Sequence, residues 1–267
     1  MMIVKIGNNF SCRCIFINIA AYLKKQAMRR IYISLVSLLF CLTAFSQSKS
    51  GVAVYKVASI TEKQDKKDAY AQLKERAEGA FGFITYKLYF TSEASFFTLD
   101  ERMNSDANDR QQELALIMAG RGKYYTPLKS DSLLHQTNSQ GDLFLVAHSK
   151  TNLAWNITAE KKTINGYECL RADGIYKNYG NHAGMKLTAW FSPKLPYMYG
   201  PKEYSGLPGL ILELDDIATG VSYYCTEIIF DKTVKIEIPD KGIRMNEKEY
   251  EAYSKKKSME FFQLIGN

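Results

Sequence analysis

Apolar and polar side chains alternate at period two in short runs between residues 51 and 238, which commits the chain to a sheet-based fold. Residues two apart in a strand share a face, so each run offers one face to a core and the other to water. In the run 81–91, Ile84, Tyr86, Leu88 and Phe90 lie opposite Thr85, Lys87 and Tyr89. The run 94–99 follows closely enough to pair with it. Runs 51–59, 122–128, 132–136, 142–148, 210–214, 221–230 and 234–238 have the same chemistry. Asn165-Gly166, between 161–164 and 167–175, is the strongest two-residue hairpin signal, since both turn positions need a positive φ. A second hairpin joins 210–214 to 221–230.

About ten strands spaced this evenly make an antiparallel meander, and a sheet of that width must curve to protect its edges. The expected fold is mainly β with some α: a single curved antiparallel sheet or half-barrel, with a few short helices over its concave side. A β-sandwich is the alternative. Helical spacing of Tyr70, Leu73 and Ala77 makes 62–78 a short surface helix or a solvated loop. Asp106 caps a helix carrying Leu114, Ile117 and Met118 that stops before Gly120 and Gly122. Asn246, with Glu249 three residues on, opens a last helix carrying Tyr250 and Tyr253.

The start of the chain is of another kind. Met28-Arg29-Arg30, an apolar run over 31–45 and Ala44-Phe45-Ser46 before Gln47 spell a secretory signal peptide. The run falls short of the roughly 20 apolar residues of a membrane span, and bulky Phe40 before Cys41 speaks against lipidation. The expected organisation is an upstream extension at 1–27 before a true start at Met28, a signal peptide at 28–46, and one β-rich domain at 47–267. One long leader with a second apolar patch at 14–23 is the competing reading. Six of the seven units of formal positive charge belong to this leader. Six of the 35 basic residues and none of the 28 acidic ones lie in 1–46, leaving 29 against 28. A near-neutral remainder has no electrostatic footprint for nucleic acid. Cys12, Cys14 and Cys41 leave with the leader. Cys169 and Cys225 remain as an even pair, able to bridge in an oxidising compartment or to stand as two buried thiols.

The stretch 188–216 reads TAWFSPKLPYMYGPKEYSGLPGLILELDD and holds four of the six prolines, Pro193, Pro196, Pro201 and Pro208. Each fixes its own φ and restrains the residue before it, so this connection between two strands is stiff. Within it, Gly206-Leu207-Pro208-Gly209-Leu210-Ile211 resembles the motif that names the GLPGLI family of Bacteroidota secreted proteins. Ile164-Asn165-Gly166-Tyr167 with Cys169, and Ala189-Trp190-Phe191 with Pro196 and Gly200-Pro201, are similar to the family's flanking segments. The resemblance covers roughly the second half of the mature chain. It implies an exported protein of unestablished function, set beside outer-membrane nutrient uptake systems. The strand ending in Trp-Phe-x-Pro is also similar, at fold level alone, to the half-barrels of periplasmic lipoprotein carriers.

Catalytic patterns are sparse. His135, His148 and His182 are far apart, and no HExxH or cysteine pair at ligand spacing accompanies them, so no metal or other cofactor is expected. Ser192 and Ser205 lack a Gly-x-Ser-x-Gly elbow. Glu213 and Asp215 share a strand face, where acid–base work is conceivable, but a polar sheet face with Asp216 serving the following turn is the simpler account. Gly206, Leu207, Pro208, Gly209, Leu210 and Ile211 read as structural: the proline sets φ, and the glycines allow turns or close backbone approach. Trp190, Phe191, Tyr197, Tyr199, Tyr204, Tyr223 and Tyr224 crowd the motif. Trp190, Tyr197, Tyr199 and Tyr204 are the candidate ligand-binding residues, although such side chains suit a sheet core equally well.

The expected function is that of an exported binding or accessory module. It takes an apolar or peptide-like ligand in the concavity near Trp190, or serves an outer-membrane receptor. An exported hydrolase using carboxylates or a cysteine is the alternative.

Overall fold

The computed structural model describes residues 50–60, 69–100, 109–139, 141–177, 184–231 and 233–265. The leader expected at 1–46, Asp106 and His182 lie outside the described residues. In chain order the elements are β1 (Gly51–Ser59), α1 (Ala69–Phe81), β2 (Thr85–Phe90), β3 (Ala94–Leu99), α2 (Asp109–Ala119), β4 (Lys123–Pro127), β5 (Ser132–Ser139) and β6 (Asp142–Ser149). Then follow β7 (Leu153–Ile164), β8 (Tyr167–Tyr176), β9 (Lys186–Ser192), β10 (Leu210–Asp216), β11 (Val221–Phe230), β12 (Ile243–Asn246) and α3 (Glu247–Ile265).

All twelve strands join one sheet in the order β12-β6-β5-β4-β3-β2-β1-β11-β10-β9-β8-β7. Every pairing is antiparallel except β12 beside β6. One ladder, rather than two packed sheets, replaces the sandwich alternative. Its curvature follows from connectivity. β6 and β7 stand ten strand positions apart, about 48 Å in a flat sheet at roughly 4.8 Å per strand. Only the 3-10 turn Lys150–Asn152 separates them, and four residue steps reach about 15 Å at most. The sheet therefore curls until its two ends meet at this corner. Lys150 N donates to Asp131 O at 2.9 Å, and Lys177 N donates to Asn152 O at 2.7 Å, so the turn is tied to strands on both sides.

The inner face carries the core. Val57, Tyr223, Leu214, Ala189 and Ala172 meet in cross-strand register, and Tyr55 opposes both Tyr86 and Cys225. Tyr55, Tyr86 and Tyr223 are buried beneath α1 and α2, whose Ala77, Ala80, Phe81, Ala115 and Ala119 are buried too. The sheet completes α2: its terminal carbonyls lack intrahelical donors, and Tyr223 Oη donates to Ala119 O at 2.5 Å while Tyr86 Oη donates to Gly120 O at 2.7 Å. Gly120 ends the helix at φ +88°, as the sequence leads one to expect. α3 opens on the expected capping box, Glu249 N to Asn246 Oδ1 at 3.0 Å and Asn246 N to Glu249 Oε2 at 2.8 Å. Its Tyr250 and Tyr253 pack on Phe144.

Three segments differ from the sequence reading. Of the run 62–78, residues 62–68 lie outside the described residues; the rest belongs to a helix that takes in Phe81, so the next strand starts at Thr85. The hairpin strand expected at 161–164 extends back to Leu153. The run 234–238 forms no strand despite its alternation. The chain must travel there from β11 to β12, seven positions away, so it crosses the strands instead of joining them. Lys235 and Glu237 border one groove with Lys87, Tyr89 and Phe96, and Ile236 and Ile238 border another with Tyr125 and Leu128.

The hairpin turn has the expected positive φ at Asn165 (50°) and Gly166 (79°). The two motif glycines divide the expected roles. Gly206 sits at φ +95° in open space, whereas a Cβ at Gly209 would lie 2.2 Å from Ser192 O. Gly206→Ala should therefore cost about 1 kcal/mol through backbone strain alone. Gly209→Ala must move two backbones and should cost roughly 3 kcal/mol. Urea unfolding of the two variants checks the ranking, and equal losses would contradict it.

Candidate functional site

Between β9 and β10 the chain forms a tongue, residues 193–209, that lies on the inner face. Its prolines and buried Leu195 and Leu207 anchor the base, where Leu210 N donates to Leu195 O at 2.9 Å and Ile211 N to Tyr199 O at 3.0 Å. Tyr199 and Ser205 make an isolated antiparallel bridge, and Tyr204 N closes a turn onto Pro201 O at 3.0 Å. Lys202, at the tip, takes the left-handed conformation at φ 51°, which is uncommon for a residue with a side chain. Its side chain is buried, with Nζ 5.5 Å from the ring centre of Tyr204 and 5.9 Å from that of Tyr223.

Around that ammonium lies a polar interior. Tyr204 Oη donates to Asp216 Oδ2 at 2.5 Å and lies 2.6 Å from Tyr176 Oη. Asp216 Oδ1 accepts from Ala218 N and Thr219 N, so the carboxylate serves the turn, as expected, and the interior as well. Burial alone would discharge Lys202, but the negative groups around it, Glu203 first, outweigh burial and hold its pKa well above the usual lysine value. Asp216 adds to that effect. Burial raises the Tyr176 and Tyr204 phenols, so they are neutral donors at physiological pH, and Glu203 and Asp216 are the charges that balance the lysine. His135 stacks on Tyr124 at 4.0 Å, and its Nε2 donates to Arg121 O at 2.8 Å. Burial drives its pKa down to about 3, so the ring is neutral.

Where the tongue meets the joined ends of the sheet, a narrow cleft opens among His148, Asn152, Tyr176, Glu203 and Glu247. Glu247 closes one wall, with Oε1 3.4 Å from His148 Nδ1 and Oε2 accepting from Asn152 Nδ2 at 2.8 Å. A cavity of about 100 Å³ lies beside the cleft and shares Lys150 and Ser205 with it. Tyr199 lines that cavity. It is 2% exposed, and its hydroxyl has no hydrogen-bond partner among the described residues. Such a group costs about 1–3 kcal/mol when left unsatisfied.

The family model described as "Protein of unknown function (Porph_ging)" matches residues 176–213. That match spans the end of β8, β9, the whole tongue and the first residues of β10. It covers less than half of the chain, so the chain is similar to this family over the site-building segment. No curated protein matches the chain. Among solved structures, two crystal forms of PNGF-II align with TM-score 0.50 over 77% of this chain, at 11% and 12% identity. They share a fold, and this chain spans about a third of their length, 32% and 33%. A putative outer membrane lipoprotein-sorting protein domain from Vibrio parahaemolyticus aligns at TM-score 0.28 and 9% identity, over 70% of this chain and 87% of its own.

The candidate aromatics separate. Tyr197, against Phe90 at 4.5 Å, joins Tyr199 and Tyr204 on the buried inner side. Trp190 does not: it points to the outer face beside Arg171 and Glu213, with Lys162 Nζ 4.3 Å over its ring. Strand alternation explains the split, because Ala189 and Phe191 on either side of it are the buried residues. Lys162 also pairs with Glu213 at 2.5 Å, so that carboxylate is an ion-pair partner. The bridge that the sequence left open is not formed. Cys169 and Cys225 are free buried thiols, donating to Tyr167 O and Glu227 O, and burial pushes them up to about 11 and about 12. Ser192 donates to Glu168 O at 2.8 Å. Among the described residues no group of three or more His, Cys, Asp or Glu can hold a metal, and no helix is long and apolar enough to cross a membrane.

Sequence reasoning missed Lys202, Lys150 and Tyr176. The signal for Lys202 was a charged residue inside an otherwise proline- and aromatic-rich tongue. Lys202→Met should destabilise the fold by about 3–5 kcal/mol, because it takes away the positive charge that offsets the buried Asp216 carboxylate. Adding Asp216→Asn should recover part of the loss, and chemical denaturation of both variants measures it. His135 gives a second expectation. Its folded pKa of about 3 lies below the unfolded value near 6.5, so protons bind the unfolded chain first as pH falls. Its contribution is complete above pH 6.5 and is lost toward pH 3, at about 1.4 kcal/mol per pH unit at most. His135→Gln should flatten the acid limb of the stability–pH curve, and an unchanged slope would contradict this.

Proposed function

We propose that the chain is an exported binding module of the GLPGLI type that holds a peptide-like ligand at the corner cleft and works beside an outer-membrane uptake partner. The observation that carries this reading is the coincidence of two features: the segment similar to a family of unknown function is the one that builds the tongue, and the tongue walls the cleft. The signal-peptide pattern at 28–46 supports export. The inner face is filled by α1, α2 and the tongue, which favours a ligand at the corner over an apolar one beneath the sheet. Lys150, Glu203 and Glu247 put charges of both signs in the cleft beside the polar His148, which suits a peptide's amides and charges.

A hydrolase has less support. Both thiols are protonated at neutral pH, and Glu213 is held by Lys162. The two tryptophans provide a test. Trp155 Nε1 donates to Ser205 O at 2.9 Å, next to the cleft, whereas Trp190 lies on the other face. With Trp190→Phe leaving Trp155 as sole reporter, a panel of short peptides should shift its emission, and in Trp155→Phe the same panel should leave Trp190 silent. A panel that moves neither, or Trp190 alone, removes the cleft reading.

A further inference from the structure

The cavity beside the cleft is lined by two side chains that each carry a donor the fold leaves available. The Tyr199 hydroxyl is buried without a hydrogen-bond partner among the described residues. Burial raises its pKa, with smaller contributions from Tyr125 and Glu93, so it remains a phenol that can donate. Lys150 Nζ donates to Pro127 O at 2.7 Å and lies 3.5 Å from Leu128 O, and an ammonium carries three N–H bonds, which leaves one more. Burial lowers the Lys150 pKa and Asp131 raises it, so this ammonium is partly stripped of water. Among the described residues no acidic side chain lines the cavity, in contrast to the adjoining cleft with Glu203 and Glu247. Its mouth is apolar: Leu128 and Met198 are each 40% exposed there, with Pro127 between the turn and the strand end.

We propose that this cavity is a carboxylate subsite, in which Lys150 and Tyr199 hold an acid group while Leu128, Pro127 and Met198 cover the short apolar chain behind it. A charge-assisted bond from the ammonium supplies attraction, and the phenol supplies direction. A volume of about 100 Å³ suits a carboxylate with a few carbons and excludes a long acyl chain. The acid is either the C-terminus of a peptide or a free short-chain acid. The inference rests on the binding reading above and names the chemistry that its ligand presents.

Titration calorimetry with acetyl-Ala-Leu as free acid, the same peptide as its C-terminal amide, and hexanoate tests it. The free acid should bind tenfold or more tightly than the amide. Tyr199→Phe removes one oxygen and keeps the shape, so it should weaken the free acid several-fold, leave the amide unchanged and not lower the melting temperature. Lys150→Met should weaken the acid further. Binding of hexanoate alone assigns the subsite to free acids, and binding of the peptide acid alone assigns it to chain ends. Equal binding of acid and amide overturns the carboxylate subsite and leaves the binding module standing, whereas no binding of any probe removes both. A Tyr199→Phe variant that melts lower with acid affinity unchanged makes the hydroxyl a structural group and also overturns the proposal.

Discussion

Three residues, Lys150–Asn152, span what would be about 48 Å of flat sheet, and the rest of the architecture depends on that tie. Because β6 and β7 cannot be separated by more than a short turn, the sheet has to curl, and curling gives it an inside. The inside needs filling, which α1, α2 and the proline-rich tongue do. It also brings together groups from opposite ends of the ladder, such as His148 on β6 and Tyr176 on β8, which line one cleft. The curled sheet keeps two edges, β7 and β12, so twelve strands are accommodated without closing a barrel.

The filled interior carries an electrostatic cost that an apolar one would not. Lys202 is buried at the tip of the tongue in a strained backbone conformation, and it is retained because Asp216 and Glu203 surround it with opposite charge. The short bond from Tyr204 to Asp216 ties the tongue to the end of β10, and Trp155 ties it to β7 through Ser205 O. A tongue held from several sides presents a fixed wall. That is the property a binding cleft requires, since little ordering is then left for the ligand to impose.

Much of the fold was legible in the sequence, because a strand writes its two faces directly into residue order. Ile84, Tyr86, Leu88 and Phe90 were readable as one face, and all are buried. Asn165-Gly166 named its turn through the φ it requires, and Asn246 with Glu249 named a helix start through reciprocal bonding. The run 234–238 shows where periodicity fails: alternation says that a segment fits a sheet, and connectivity decides whether a ladder position is within reach. The site was less legible. Trp190 and Tyr199 are nine residues apart in one aromatic-rich stretch, and strand alternation sends one outward while the tongue turns the other in.

By itself the sequence determined a mainly β fold, the turn at 165–166, the need for glycine at 206 and 209, and the stiffness of the tongue. Each of these is a local matter of φ, side-chain volume or face periodicity. Only the tertiary structure decided that the sheet's ends meet, that Cys169 and Cys225 are free thiols, and that Lys150, Tyr199 and Ser205 line one cavity. Those outcomes depend on which strands lie side by side, and hydrophobic alternation is the same for every order of the strands.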